Sequence, residues 1–205
     1  MNEELLCALM TVLGYLLGAI PFGIVVSKAM GLLDPRTVGS KNVGFTNVLR
    51  VSGKKAGVLT LLGDMGKGWL LGWVAMQWLT VESFIMIVAF APILGHLFSP
   101  FLGFKGGKGV ATAMGVVLGL SPSIGLLMLL IWLGAVAIWR YSSGGALAAF
   151  GCLPVVAIVN EQRQEFFVFS LLVSILIWIK HKENIIRLWK GTESKMGKKK
   201  QELEE

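Results

Sequence analysis

Phe104-Lys105-Gly106-Gly107-Lys108-Gly109-Val110-Ala111-Thr112 stands between two strongly apolar segments. Glycines let a backbone turn sharply and come close to a ligand. Successive N–H groups of such a turn form a concave nest for an anion. A helix that starts near Val110 points its positive end at the same place. Lys105 and Lys108 add two full charges. Two readings follow: a phosphate cradle at a membrane surface, or a basic turn on the cytoplasmic side of a bilayer. The spacing of a Walker A loop is absent. The apolar run after it, residues 110–120, is too short to cross a ~30 Å hydrocarbon core at ~1.5 Å per residue. Either the loop dips into the protein or the membrane is thinned there, because bare backbone at that depth needs protein or water around it.

Outward from this stretch, the chain of 205 residues is 55% hydrophobic and only 15% charged, with a mean hydropathy of +0.72. A soluble domain carries more charge, and the apolar residues lie in long runs without strand-period alternation. The expectation is an all-α polytopic membrane protein of seven transmembrane helices. Their approximate bounds are 4–29, 56–80, 83–99, 110–120, 123–139, 145–159 and 166–180. The first run contains Gly18-Ala19-Ile20-Pro21-Phe22-Gly23, expected to kink it or admit a neighbouring helix. Glu3 and Glu4 stand where a signal peptide has its basic region, so the first helix is read as retained. Cys7 and Cys152 lie far apart in apolar runs, which speaks against a disulfide or metal site. Residues 1–195 are read as a single domain and 196–205 as a charged, solvated tail whose Lys198-Lys199-Lys200 is attracted to anionic lipid.

Charge sets the orientation. All but two of the 19 basic residues fall in the 1–2, 3–4 and 5–6 connections and the tail; the exceptions are Lys67 and Arg163. The positive-inside rule makes these segments cytoplasmic, which puts the amino terminus outside and the carboxyl terminus inside. Glu3, Glu4, Glu82, Glu161 and Glu165 then lie outside, in agreement.

The same topology gathers the polar clusters on the cytoplasmic face. In 39–50, Gly39, Ser40, Asn42, Thr46 and Asn47 bring small hydrogen-bonding groups ahead of Arg50, which suits bidentate phosphate binding. A polar connector with turn residues is the alternative. In 181–193, His181 and Asn184 share a face if helix 7 continues through them. A histidine at the membrane surface serves as base, acid or phosphate partner; an amphipathic end anchored by Trp189 is the alternative. His96 ends helix 3, and Asp64 and Lys67, three residues apart, either neutralise each other or serve function. No carboxylate follows either histidine by five residues, no G-x-S-x-G elbow occurs, and no metal-ligand cluster is visible. What remains suits phosphate-bearing substrates and direct transfer, without a covalent intermediate, cofactor, metal or nucleic acid.

In combination these motifs resemble those of the bacterial acyl-phosphate-dependent glycerol-3-phosphate acyltransferases, the PlsY family. The resemblance runs from Gly18 to Glu193 and rests on Gly39-Ser40…Asn42…Gly44…Thr46-Asn47…Arg50, Gly95-His96…Lys105-Gly106-Gly107-Lys108-Gly109 and His181…Asn184…Arg187-Leu188…Gly191…Glu193. Asp64…Lys67-Gly68 and Arg140-Tyr141-Ser142-Ser143 are similar to two further family patterns. There are departures. The family's first motif reads Gly-Ser-Gly-Asn-x-Gly-Ala-Thr-Asn, and here Lys41 and Phe45 replace Gly and Ala. The proline expected three residues after His96 stands one later, at Pro100, with Ser99 in its place.

The resemblance implies transfer of a fatty acyl group from acyl phosphate to the sn-1 hydroxyl of glycerol 3-phosphate at the cytoplasmic face of a bacterial plasma membrane. The partners it implies are those two substrates and the bilayer; oligomeric state is not implied. It gives Lys105, Lys108 and the amides of Gly106, Gly107 and Gly109 the phosphate of glycerol 3-phosphate. Ser40 and Arg50 help bind phosphate and the developing oxyanion, with Gly39, Asn42, Thr46, Asn47, Lys67 and Ser143 as further substrate-binding positions. His181 and Asn184 orient the hydroxyl, whose proton goes to His181 or to the departing phosphate. Glu193 is a structural partner for nearby basic groups. The rival classes are an anion transporter, which the lack of inverted repeats disfavours, and a transferase with another lipid donor.

Overall fold

The computed structural model describes residues 2–160 and 163–197, so the Lys198-Lys199-Lys200 tail and Glu161 lie outside the described residues. Among these the chain is helical, in two compact units that meet in sequence between Leu120 and Ser121. The first holds α1 (Glu3–Ala19), α2 (Phe22–Ala29), α3 (Phe45–Ser52), α4 (Lys54–Trp78), α5 (Glu82–Leu97) and α6 (Val110–Leu120). The second holds α7 (Pro122–Trp139), α8 (Ser142–Asn160), α9 (Gln164–Lys180) and α10 (Lys182–Trp189).

Among the described residues three segments are long and apolar enough to span a bilayer: Glu82–Leu102, Pro122–Trp139 and Ser142–Asn160. The bent pairs α1–α2 and α9–α10 raise this to five if each pair is one span. α4 has 25 residues, ample length for a ~30 Å core, but it carries Lys54, Lys55, Asp64 and Lys67. α6 has the expected bounds and only 11 residues.

The first apolar run is two helices with a 46° bend. Pro21 has no N–H, and Ile24 N–H bonds Pro21 O instead of Ile20 O. The break therefore releases the carbonyls at the end of α1. Ala19 O accepts from the Ser99 hydroxyl at 2.7 Å and Ile20 O from the Lys67 ammonium at 2.7 Å. Ser99, the departure from the family pattern, thus ties the end of α5 to this bend, and Pro100 opens a short 3-10 turn, Pro100–Leu102.

One expectation needs correction: residues 31–55 are not only a connector, because α3 forms there. Helix 7 ends at Lys180 as its expected bounds have it, and the condition that it continue through His181 is not met, because α9 and α10 meet there at 60°.

Glycines bring α4 and α6 together backbone to backbone. A methyl on Gly68 would run into Thr112 O, on Gly72 into Val116 O, on Gly115 into Met65 O, and on Gly119 into Trp69 O. Close approach through small residues is the usual device where lipid supplies no hydrophobic drive between helices.

Candidate active site

In the first unit, the 35–47 loop is built around Asn47, which is 2% exposed. Its amide nitrogen donates to Pro35 O at 2.9 Å, Asn42 O at 2.9 Å and Val38 O at 3.2 Å. Its Oδ1 accepts from the Ser40 N–H at 2.9 Å. Asn42 Oδ1 accepts from the Gly44 N–H at 2.8 Å, a local turn that leads into α3. Gly39 has φ +61°, and a methyl there would strike Asn47 Oδ1. Ser40 is exposed, Thr46 and Arg50 are half-buried in the first and last turns of α3, and Asn47 is interior. Lys41 has φ 57°, the left-handed region that glycine enters without strain. Glycine, which the family pattern has at this position, would meet that φ without strain.

The glycine loop differs from an open nest. Gly106 N–H bonds Leu97 O at 3.2 Å and Gly107 N–H bonds His96 O at 3.1 Å. Both amides are therefore committed to the end of α5. A methyl on Gly106 would overlap His96 O, and one on Gly107 would overlap His96 Nε2. These two glycines serve close packing onto His96. Gly109, at φ +80°, turns the chain into α6. The first bond of that helix runs from Ala113 N–H to Gly109 O at 2.8 Å. The amides that precede it lie in the first turn, where no intrahelical partner exists and an anion is favoured. Lys105 is exposed and Lys108 half-buried beside this turn.

Beneath the loop sits a buried array. The Lys67 and Asp64 side chains are 1% and 2% exposed, with Nζ 2.8 Å from Asp64 Oδ1. Lys67 Nζ also reaches Ile20 O at 2.7 Å and His96 Nδ1 at 3.1 Å. The ammonium therefore sits among three groups of its own protein, one of them an opposite charge. His96 Nδ1 lies 3.4 Å from Asp64 Oδ1. Burial of such a pair is tolerable only when it is paired and hydrogen-bonded in this way.

In the second unit, Glu193 is the hub. Its Oε1 accepts from the Ser143 hydroxyl at 2.6 Å and the Asn184 amide at 2.6 Å, and its Oε2 accepts from Arg187 Nε at 2.6 Å. Burial raises the Glu193 pKa, but the hydrogen bonds from Ser143, Arg187 and Asn184 outweigh it and hold the carboxyl below the usual range. His181 and Asn184 are both buried, at 3% and 6% exposure. His181 Nδ1 lies 2.7 Å from Ile177 O. A carbonyl only accepts, so Nδ1 carries the hydrogen and Nε2 is the ring's basic nitrogen.

Several expected site residues therefore come together: Gly39, Ser40 and Asn42 around Asn47; Lys67, Gly106 and Gly107 through His96; Ser143 and Asn184 on Glu193. Glu193 is the structural partner of a basic group that the sequence reading expected, through Arg187, whereas the roles of Asp64 and His96 as organisers were not legible at the sequence level. Asp64–Lys67 spacing hinted at the pair, but the link to His96 joins distant helices.

The sequence model described as glycerol-3-phosphate acyltransferase matches residues 8–191. The glycerol-3-phosphate acyltransferase of Methylococcus capsulatus is 46% identical over 185 residues, 90% of this chain and 93% of that protein. That of Bordetella pertussis is 47% identical over 92% of this chain and 91% of its own length. The crystal structure of PlsY (YgiH), an integral membrane glycerol 3-phosphate acyltransferase, in its glycerol 3-phosphate form, superposes with a TM-score of 0.89. It shares 39% identity and covers 93% of this chain and 96% of that one. The lysophosphatidic acid form gives a TM-score of 0.87 at 38% identity, covering 93% and 95%. The chain belongs to the glycerol-3-phosphate acyltransferase family, PlsY.

Proposed function

We propose that this enzyme transfers a fatty acyl group from acyl phosphate to the sn-1 hydroxyl of glycerol 3-phosphate, giving lysophosphatidic acid and inorganic phosphate. The observation that carries this most directly is the pair of solved relatives, one in a glycerol 3-phosphate form and one in a lysophosphatidic acid form. These are acceptor and product of a single acyl transfer. Acyl phosphate as donor fits a chain whose candidate groups are cations, amides and histidine, with no assigned nucleophile. A mixed anhydride is already activated, so positioning and charge stabilisation supply much of the rate.

In this reading Lys105, Lys108 and the first-turn amides of α6 meet the phosphate of glycerol 3-phosphate. Ser40 and Arg50 hold the acyl phosphate and the oxyanion. His181 Nε2 accepts the proton of the attacking hydroxyl, the fixed Nδ1 hydrogen supporting that assignment, and Asn184 orients the same hydroxyl. The hydroxyl oxygen bonds the acyl carbon, the bond from that carbon to the phosphate oxygen breaks, and phosphate leaves with the electron pair. Gly39, Asn42, Thr46, Asn47 and Ser143 support these groups. The chain acts as one functional domain with seven spans. α1–α2, α4, α5, α6, α7, α8 and α9 are the candidates, with amino terminus outside and the reacting groups at the cytoplasmic face of a bacterial inner membrane.

The test offers purified protein palmitoyl phosphate, palmitoyl-CoA and palmitoyl-carrier protein in parallel with labelled glycerol 3-phosphate, then determines the acylated position. Product from acyl phosphate alone, acylated at sn-1, is expected; product from CoA alone sinks the donor assignment. His181→Ala is expected to lower kcat by roughly 10²–10⁴-fold, the usual worth of a positioned base. Near-normal turnover in folded protein hands the proton to the departing phosphate.

A further inference from the structure

The Lys67 side chain is 1% exposed, and its ammonium lies 2.7, 2.8 and 3.1 Å from Ile20 O, Asp64 Oδ1 and His96 Nδ1. The three partners come from three places: the bend between α1 and α2, the same helix, and the end of α5. The third one matters for the loop. When the ammonium donates to Nδ1, the ring hydrogen of His96 sits on Nε2, and that nitrogen lies against Gly107. The same residue's backbone carbonyl takes the Gly107 N–H, and the next carbonyl, Leu97 O, takes the Gly106 N–H. His96 therefore grips the loop with its ring and with its backbone, while Lys67 and Asp64 hold the ring.

The other end of the loop is fixed from the same helix. Gly68, next to Lys67, packs on Thr112 O in the first turn of α6. Both ends of the 98–109 segment are thus referred to one turn of α4.

We propose that Asp64, Lys67 and His96 form a buried positioning array that holds the glycine loop and the first turn of α6 in register, and so sets the affinity for glycerol 3-phosphate without touching it. This rests on the reading that residues 105–109 meet the phosphate of that substrate. Lys67 is then a positioning residue and not a phosphate ligand.

Three variants test it: Asp64→Leu/Lys67→Met, which removes the pair together so that no lone charge is left buried; His96→Asn, whose amide oxygen replaces Nδ1 as acceptor for Lys67 but does not reach Gly107; and the triple combination with His96→Ala. The readouts are melting temperature in detergent, hydrogen exchange at Gly106 and Gly107, and initial rates against glycerol 3-phosphate. The double variant is expected to raise KM about tenfold, the worth of one hydrogen bond to a charged group. It should leave kcat within about threefold and speed exchange at both glycines. His96→Asn is expected to raise KM and loosen Gly107 with a near-normal melting temperature, and the triple variant to lose little beyond the double, because the residues act as one unit.

Unchanged KM and exchange in a folded double variant overturn the array. So does a fall in kcat with unchanged KM and exchange, which makes Lys67 a participant in the chemistry. A wild-type control, exchange of residues 105–109 with and without glycerol 3-phosphate, tests the underlying reading separately. Absence of protection removes the phosphate from this loop even where the variants still loosen it.

Discussion

Asn47→Ala is the sharpest test of how the first polar loop works. The amide nitrogen has two hydrogens for three carbonyls, so one is shared, and Oδ1 holds the Ser40 N–H. The substitution thus deletes three hydrogen bonds' worth of restraint. At ~1 kcal/mol net for each, the closed loop loses about 3 kcal/mol, roughly a 150-fold change in its equilibrium with open forms. The helices on either side keep their packing, so the loss falls on the loop and not on the fold. kcat/KM for acyl transfer is expected to fall by up to about a hundredfold, in proportion to the closed-loop population that is lost, with only a small shift in melting temperature, and the Ser40 amide should lose its exchange protection. Asn47→Asp keeps the acceptor for Ser40 but turns a carboxylate oxygen toward three carbonyls, so it should not rescue. Wild-type activity with Ser40 still protected refutes the reasoning. Lost activity with Ser40 still protected refutes it differently, by making Asn47 a direct substrate ligand.

Further outcomes follow from single features. Lys41→Gly should stabilise the protein by about 1 kcal/mol in denaturant titration, because Lys41 holds φ 57° at a cost that glycine avoids. Gly115→Val should cost about 3 kcal/mol or more, at the upper end of overpacking, since its Cβ meets Met65 O and not a movable side chain; yield and melting temperature in detergent report it. Glu193 has a carboxyl pKa held below its unfolded value. Its contribution to stability is therefore complete above the unfolded carboxylate pKa and is lost as pH falls through the lower folded one. Melting temperature should drop in that acidic window, and Glu193→Gln should flatten the drop; an unchanged acid profile in that variant refutes the assignment.

The helices were legible because apolar runs end at polar punctuation: α5 to α9 begin and stop within a few residues of their expected limits. α3 was hidden. It has only eight residues and mixes polar and apolar side chains, so it reads as a connector. The end of α9 at Lys180 was legible, but the separate helix α10 that follows the bend was not, since nothing in Ile179-Lys180-His181-Lys182 disfavours helix. At the candidate site, residue types were legible and their partners were not. Asn47 bonds backbone carbonyls 5, 9 and 12 residues away, and carbonyls carry no sequence signature. Lys67 meets Ile20 across 47 residues only because Pro21 releases a carbonyl. The glycine loop shows the same ambiguity from the other side. Glycine marks close approach, and sequence does not say whether the thing approached is a ligand or, as with Gly106 and Gly107, the protein's own helix.

The glycine seam between α4 and α6 has a consequence for how a helix of 11 residues keeps its place. Its depth is not set by matching its own length to the bilayer, for it has too few residues to do so. It is splinted. Spacing between two touching backbones is set by van der Waals contact of rigid groups, whereas spacing through side chains depends on rotamers. α6 therefore inherits its position from the longer α4 as a passenger. The turn at its start is thereby positioned by the helix that carries Lys67.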